Sequence, residues 1–123
     1  AVEMLDDRII LVNKVPSFFY HEGKRVPTLK LLQAHDILKK IIVDMGAVKF
    51  VVGGADVMRP GIVEMDLEIK ENEYIVVVDV KNKKPLAVGK ALYDGKTMQS
   101  MHSGRVIKTI HYVGDALWSL SLP

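Results

Sequence analysis

The chain has 123 residues, 49% hydrophobic and 26% charged, with a formal net charge of +2 and no cysteine. This is ordinary globular composition, in a length that makes one domain or one small domain with a smaller companion, with enough chain to bury a real core. Disulfides and thiolate metal sites are excluded, no apolar run is long enough to cross a bilayer, and a charge of +2 does not by itself signal a polyanion binder. Asp6, Asp7 and Arg8 interrupt any secretory leader early, so a cytoplasmic protein without membrane contact is expected.

In chain order, Arg8 to Val12 and Val15 to Tyr20 read as short strands separated by Asn13-Lys14, and His21-Glu22-Gly23-Lys24 reads as a turn. Pro27 suits the first position of a helix whose residues Thr28 to Ala34 carry Leu29 and Leu32 three apart. Lys39 to Val43 is a strand, and Asp44 is placed to cap the helix after it. That helix should bury Val48, Phe50, Val51 and Val52 and end at Gly53 or Gly54 through a left-handed residue. Arg59-Pro60-Gly61 then opens a strand in which Val63, Met65, Leu67 and Ile69 alternate with Glu64, Asp66, Glu68 and Lys70, one dry face and one wet. Tyr74 to Val80 is rich in β-branched residues and reads as a buried central strand. Lys81 to Lys84 makes a polar hairpin, Pro85 to Leu92 returns, and Asp94 caps a short helix with Met98 and Met101 inward. Gly104 stops that helix, and Val106 to Trp118 supplies the last strands. Closely spaced strands with short helices suggest a small, curved mixed β-barrel.

Charge is unevenly distributed. Lys81, Lys83, Lys84, Lys90, Lys96, Arg105 and Lys108 are interrupted by Asp94 alone, whereas the stretch from Asp56 to Asp79 carries seven acids against Arg59 and Lys70. A polar field results if the fold keeps the two on separate faces.

The common chemistries fail one at a time. Gly95-Lys96-Thr97 resembles the end of a phosphate-binding loop, but position 90, where the loop's first glycine belongs, is Lys. Gly53-Gly54 follows a helix instead of opening one, which is the wrong end for a pyrophosphate, so no nucleotide cofactor is expected. No pair among His21, His35, His102 and His111 has the i, i+4 spacing of a helical zinc site. His111, Asp115 and Ser119 have the residue types of a triad without a nucleophile elbow or oxyanion glycine.

Binding without catalysis is what remains. The candidate surface is Lys49, the Gly53-Gly54-Ala55 turn and Arg59, with Lys90, Arg105 and Lys108 from later strands. Lys and Arg suit phosphates, a bare glycine floor leaves room for sugars and bases, and carbonyls at the helix end can accept from base edges or 2′-hydroxyls.

The stretch Asp44 to Trp118 resembles a PUA domain, the fold named after pseudouridine synthases and archaeosine transglycosylases. The pieces that carry the resemblance are Asp44-Met45-Gly46-Ala47, then Gly53 to Ile62, Gly89-Lys90-Ala91, and Gly104-Arg105-Val106-Ile107. Val26 to Leu32 and Ile110 to Trp118 further resemble the family of the malignant T-cell amplified sequence protein. The resemblance implies an α+β chain: a PUA-type mixed β-barrel with short helices over residues 39–123, preceded by a small N-terminal α/β domain over 1–38. Family members carry more residues ahead of the segment matching Ala1, so that N-terminal domain is expected to be shortened.

The resemblance further implies an RNA-binding protein that is not an enzyme and takes structured RNA, tRNA or small-subunit rRNA, in translation initiation, recycling or ribosome biogenesis. The RNA contacts carry over to Lys49, Gly53, Gly54, Ala55, Arg59, Pro60, Gly61 and Lys90, with Arg105 and Lys108 beside them. Implied partners are the small ribosomal subunit and a protein resembling the density-regulated protein. Two alternatives stand beside this one. The chain could be a protein-interaction module using Glu64, Asp66 and Glu68 or the N-terminal domain, or the PUA-bearing part of an RNA-modifying enzyme.

Overall fold

A computed structural model describes residues 1–120. The first four strands form a meander, β1 (Val2–Leu5), β2 (Ile9–Val12), β3 (Val15–His21) and β4 (Lys24–Pro27), paired antiparallel in that order. Its turns are tight. Asn13 and Lys14 take φ of +51° and +69°, and Glu22 and Gly23 take +51° and +76°, the twist a two-residue hairpin requires. The strands β1 and β4 were not expected, and Pro27 closes β4 where a helix start was anticipated. The helix α1 (Leu29–Leu32) starts two residues later, with Thr28 as its cap: the Thr28 hydroxyl accepts from Leu31 N–H at 3.2 Å.

The remaining strands are β5 (Lys40–Val43), β6 (Val57–Met58), β7 (Ile62–Met65), β8 (Tyr74–Asp79), β9 (Pro85–Ala91) and β10 (Arg105–Tyr112), with helices α2 (Met45–Val51) and α3 (Gly95–Ser100). They form one sheet in the order β6-β10-β9-β8-β5-β7, in which β5 and β8 are parallel and the other pairs antiparallel. Its two edge strands, β6 and β7, are joined by the 3₁₀ turn Arg59–Gly61. Three residues cannot span an open six-stranded sheet, so the sheet curls until its edges meet. This is the expected mixed barrel.

β8 shows how the two sheets share a core. Ile75 and Val77 point into the barrel with Ile41, Val43, Met98 and Ile107. Val76 and Val78 point outward and meet Phe19, Val26, Leu29 and Leu32 of the N-terminal part. A strand dry on both faces explains the unbroken apolar run. The expected division into 1–38 and 39–123 ends on residues 121–123, which lie outside those described.

The alternating strand expected from Val63 to Lys70 is corrected. β7 stops at Met65, and a bulge against Ile42 and Val43 reverses the pattern, so Ile62 is buried while Val63 is 57% exposed. Asp66 then turns the chain, its carboxylate accepting from Glu68 N–H at 2.9 Å, and Ile69 drops into the barrel core. No helix among the described residues is long and apolar enough to cross a membrane.

Candidate nucleic-acid interface

α2 begins as its sequence dictates: the Asp44 carboxylate accepts from Ala47 N–H at 2.8 Å. A helix of seven residues can bury only one stripe, here Ala47, Val48 and Val51. Phe50 and Val52, expected inside, are 59% and 36% exposed because they lie off that stripe. Lys49 is exposed in the last turn, where the helix dipole favours a cation, and its ammonium lies 5.1 Å from the Phe50 ring centre.

The helix ends at Gly54, φ +90°, as expected for a left-handed terminator. The carbonyl of Val51 accepts from Gly54 N–H, and that of Phe50 from Gly53 and Ala55 N–H, so these oxygens are already engaged. The open side of Gly54 is also filled from within. A Cβ there would lie 2.8 Å from two ring carbons of Tyr112.

Beyond the turn, Ala47, Phe50, Ala55, Met58, Gly61 and Arg105 line an apolar hollow of about 560 Å³. Gly61 allows α2 to close on it, since a Cβ at Gly61 would stand 3.0 Å from that of Ala47. Phe50 and Met58 are both at least half exposed on its walls. Arg105 is exposed and pairs with Asp56 at 3.1 Å, while the other Asp56 oxygen accepts from Thr109 N–H at 2.8 Å.

Arg59 is placed differently. Its Nε donates to Met98 O at 2.6 Å and its Nη1 to Ile62 O at 3.3 Å, so it fastens the 3₁₀ turn to α3 and β7. Pro60 is exposed at the first turn of that 3₁₀ segment.

Lys90 and Lys108 form a separate group. They face each other across β9 and β10, and Lys90 also pairs with Tyr74 across β8. The Lys90 ammonium lies 2.8 Å from the Glu22 carboxylate, a hydrogen-bonded pair that raises the Lys90 pKa and lowers that of Glu22. Beside it, His21 Nδ1 is 2.8 Å from the Tyr74 hydroxyl. The structure therefore gathers Ala55, Gly61 and Arg105 at one hollow beside α2, which carries Lys49, and ties Lys90 to Glu22 of the N-terminal part, with exposed Lys108 beside Lys90.

The triad-like residues have another role. His111 Nδ1 is 2.8 Å from Asp115, but Nε2, where a serine would have to sit, accepts from Leu29 N–H at 3.1 Å in a fully buried setting. Phe50, Met58 and Asp56 were not among the expected site residues. No local pattern marks Phe50 as outward, because it lies three residues from Ala47 and next to Val51, on the flank of the buried stripe.

A family model described as PUA domain matches residues 39–113. An uncharacterised protein of Methanocaldococcus jannaschii is 49% identical over 93% of this chain and 71% of its own. Translation machinery-associated protein 20 of Eremothecium gossypii is 36% identical over 85% of this chain and 62% of its own. Malignant T-cell-amplified sequence 1 of Danio rerio is 33% identical over 91% and 65%. The chain thus spans roughly two thirds of the length of these relatives. Among solved structures, a hypothetical protein of Pyrococcus horikoshii superimposes with a TM-score of 0.83 at 37% identity, over 95% of this chain and 75% of that one.

Proposed function

Because the chain belongs to the PUA-domain family, among relatives named for malignant T-cell-amplified sequence and translation machinery-associated protein 20, we propose that it binds structured RNA in translation, without catalysing a reaction. The observation that carries this reading is the hollow beneath α2, apolar within and cationic at its edge. An unstacked base fits against Phe50 and Met58, over the small residues Ala55 and Gly61. Lys49 and Arg105 take the flanking phosphates. Arg59, Pro60, Gly53 and Gly54 shape this surface: Arg59 through its bonds to Met98 and Ile62, Gly54 by admitting the Tyr112 ring. Lys90 and Lys108 form an outlying contact for which Glu22 competes.

The RNA is a tRNA or small-subunit rRNA, the protein works in the cytoplasm, and residues 1–38 form a unit packed on the barrel of 39–123. The small ribosomal subunit and a protein resembling the density-regulated protein are its partners. Ultraviolet crosslinking in cells, with both RNA and peptide identified, tests this. Crosslinks on residues 45–61 and 105 to tRNA or small-subunit rRNA are the expected result. Crosslinks confined to other surfaces, or association with ribosomes that survives nuclease treatment, would overturn it.

A further inference from the structure

The hairpin joining β8 to β9 carries Lys81, Lys83 and Lys84, and the geometry points to it as a second phosphate-binding edge of the RNA interface. This inference rests on the RNA-binding reading and extends its footprint.

Both ends of α2 rest on the hairpin end of the barrel. At the start of α2, Val43 pairs with Asp79, and the Val43 carbonyl accepts from Val80 N–H at 3.0 Å. At its far end, Gly54 lies against Tyr112, which pairs with Ala87 just beyond the hairpin. Lys90 pairs with Tyr74, at the opposite end of the same two strands. The hairpin is therefore a basic segment at the end of the barrel on which α2 rests, while Arg105 adjoins the hollow from the other end of β10.

The hairpin is also built to one shape. Asp79 is 4% exposed, and its two carboxylate oxygens accept from Asn82 N–H at 2.9 Å and Lys84 N–H at 2.7 Å. Burial opposes its charge, but these backbone donors prevail and hold its pKa below the usual carboxylate value. Lys83 takes a φ of +54°, and its N–H donates to Asp79 O at 3.0 Å. The lysine backbones are thus placed before any ligand arrives, which lowers the ordering cost of binding.

One of the three ammonium groups is engaged within the hairpin itself: Lys83 Nζ donates to Val80 O at 3.1 Å. Lys81, Lys83 and Lys84 are exposed, and among the described residues none has an acidic partner within ion-pair distance. Lys83 helps to line a hollow of about 340 Å³ with His35 and Lys40, where the one acid, Asp36, is 2.6 Å from Lys40. Three outward cations on a fixed turn, beside a helix that already presents Lys49, fit a phosphate backbone running across both.

The test measures binding of deacylated tRNA across a salt series for three proteins. These are the unaltered chain, Lys81→Ala/Lys84→Ala, and Lys70→Ala/Lys96→Ala as a control of equal charge. Lys70 and Lys96 flank the opposite end, where Gly95 N–H donates to Ile69 O at 2.8 Å. The hairpin variant should bind more weakly, with a log–log salt slope shallower by about 1.4 to 1.8, two contacts' worth. The control should keep the slope of the unaltered chain. Equal slopes for hairpin variant and unaltered chain, or equal flattening in both variants, would overturn the hairpin contact while leaving RNA binding intact. No tRNA binding by the unaltered chain, nor by a small-subunit rRNA fragment, would overturn the RNA-binding reading and this edge with it.

Discussion

The backbone N–H of Leu29, at the head of α1, donates to Nε2 of His111 in β10 at 3.1 Å, tying the N-terminal part to the barrel through a buried ring. That bond requires Nε2 to be unprotonated, so the proton sits on Nδ1 and points at Asp115, 2.8 Å away. Burial lowers the pKa of His111 below 6.5, and the hydrogen bond to Asp115 only partly opposes it.

The sign of the pH dependence follows. Below about 6.5 the unfolded chain takes up a proton on this histidine that the folded chain resists. The stabilisation is complete above that pH and is lost as pH falls from 6.5 toward the lower folded value. Thermal melting should show a falling midpoint between about pH 7 and pH 5. His111→Gln should be less stable at pH 7 but shallower across that window. Parallel curves would mean that another group carries the dependence. Asp79, Asp94 and Glu22, all lowered, start from reference values of 3.8, 3.8 and 4.5, so their losses fall below this window.

Gly54→Ala should destabilise the fold by about 1–3 kcal/mol in chemical denaturation, because the position is strained for an L side chain and is already occupied. The new methyl would meet the Tyr112 ring at 2.8 Å with φ at +90°. A change within about 0.5 kcal/mol, the range of ordinary surface substitutions, would show that the turn is not held by that ring.

Glu22→Gln removes the carboxylate that holds Lys90 at 2.8 Å. If Lys90 is an outlying RNA contact, the variant should bind tRNA more tightly and steepen the salt slope by about 0.7 to 0.9, one added phosphate. An unchanged slope would remove Lys90 from the interface and leave it as a strut between the sheets.

Much of this was legible because its causes are local. Asp44 before a short apolar helix, the Gly53-Gly54 terminator, the β-branched run Tyr74 to Asp79 and the Lys81–Lys84 hairpin all declare themselves within a few residues. What was missed depends on distant partners. β1 and β4 are four-residue strands that exist through pairing, and the bulge exposing Val63 belongs to the register with β5. At the site, Arg105 meets Asp56 across 49 positions and Lys90 meets Glu22 across 68. No local pattern announces such pairs. The glycine turn was legible as a close approach, but the group approaching Gly54 is the chain's own Tyr112.

The central claim is that RNA binds at the hollow under α2, and a salt series on Lys49→Ala/Arg105→Ala tests it most directly. Both side chains are exposed and belong to neither core cluster, so the fold should survive, with an unchanged circular dichroism spectrum. Binding of deacylated tRNA should weaken, and the log–log slope should become shallower by about 1.4 to 1.8 relative to the unaltered chain. An unchanged affinity and slope in the folded double variant would contradict the account.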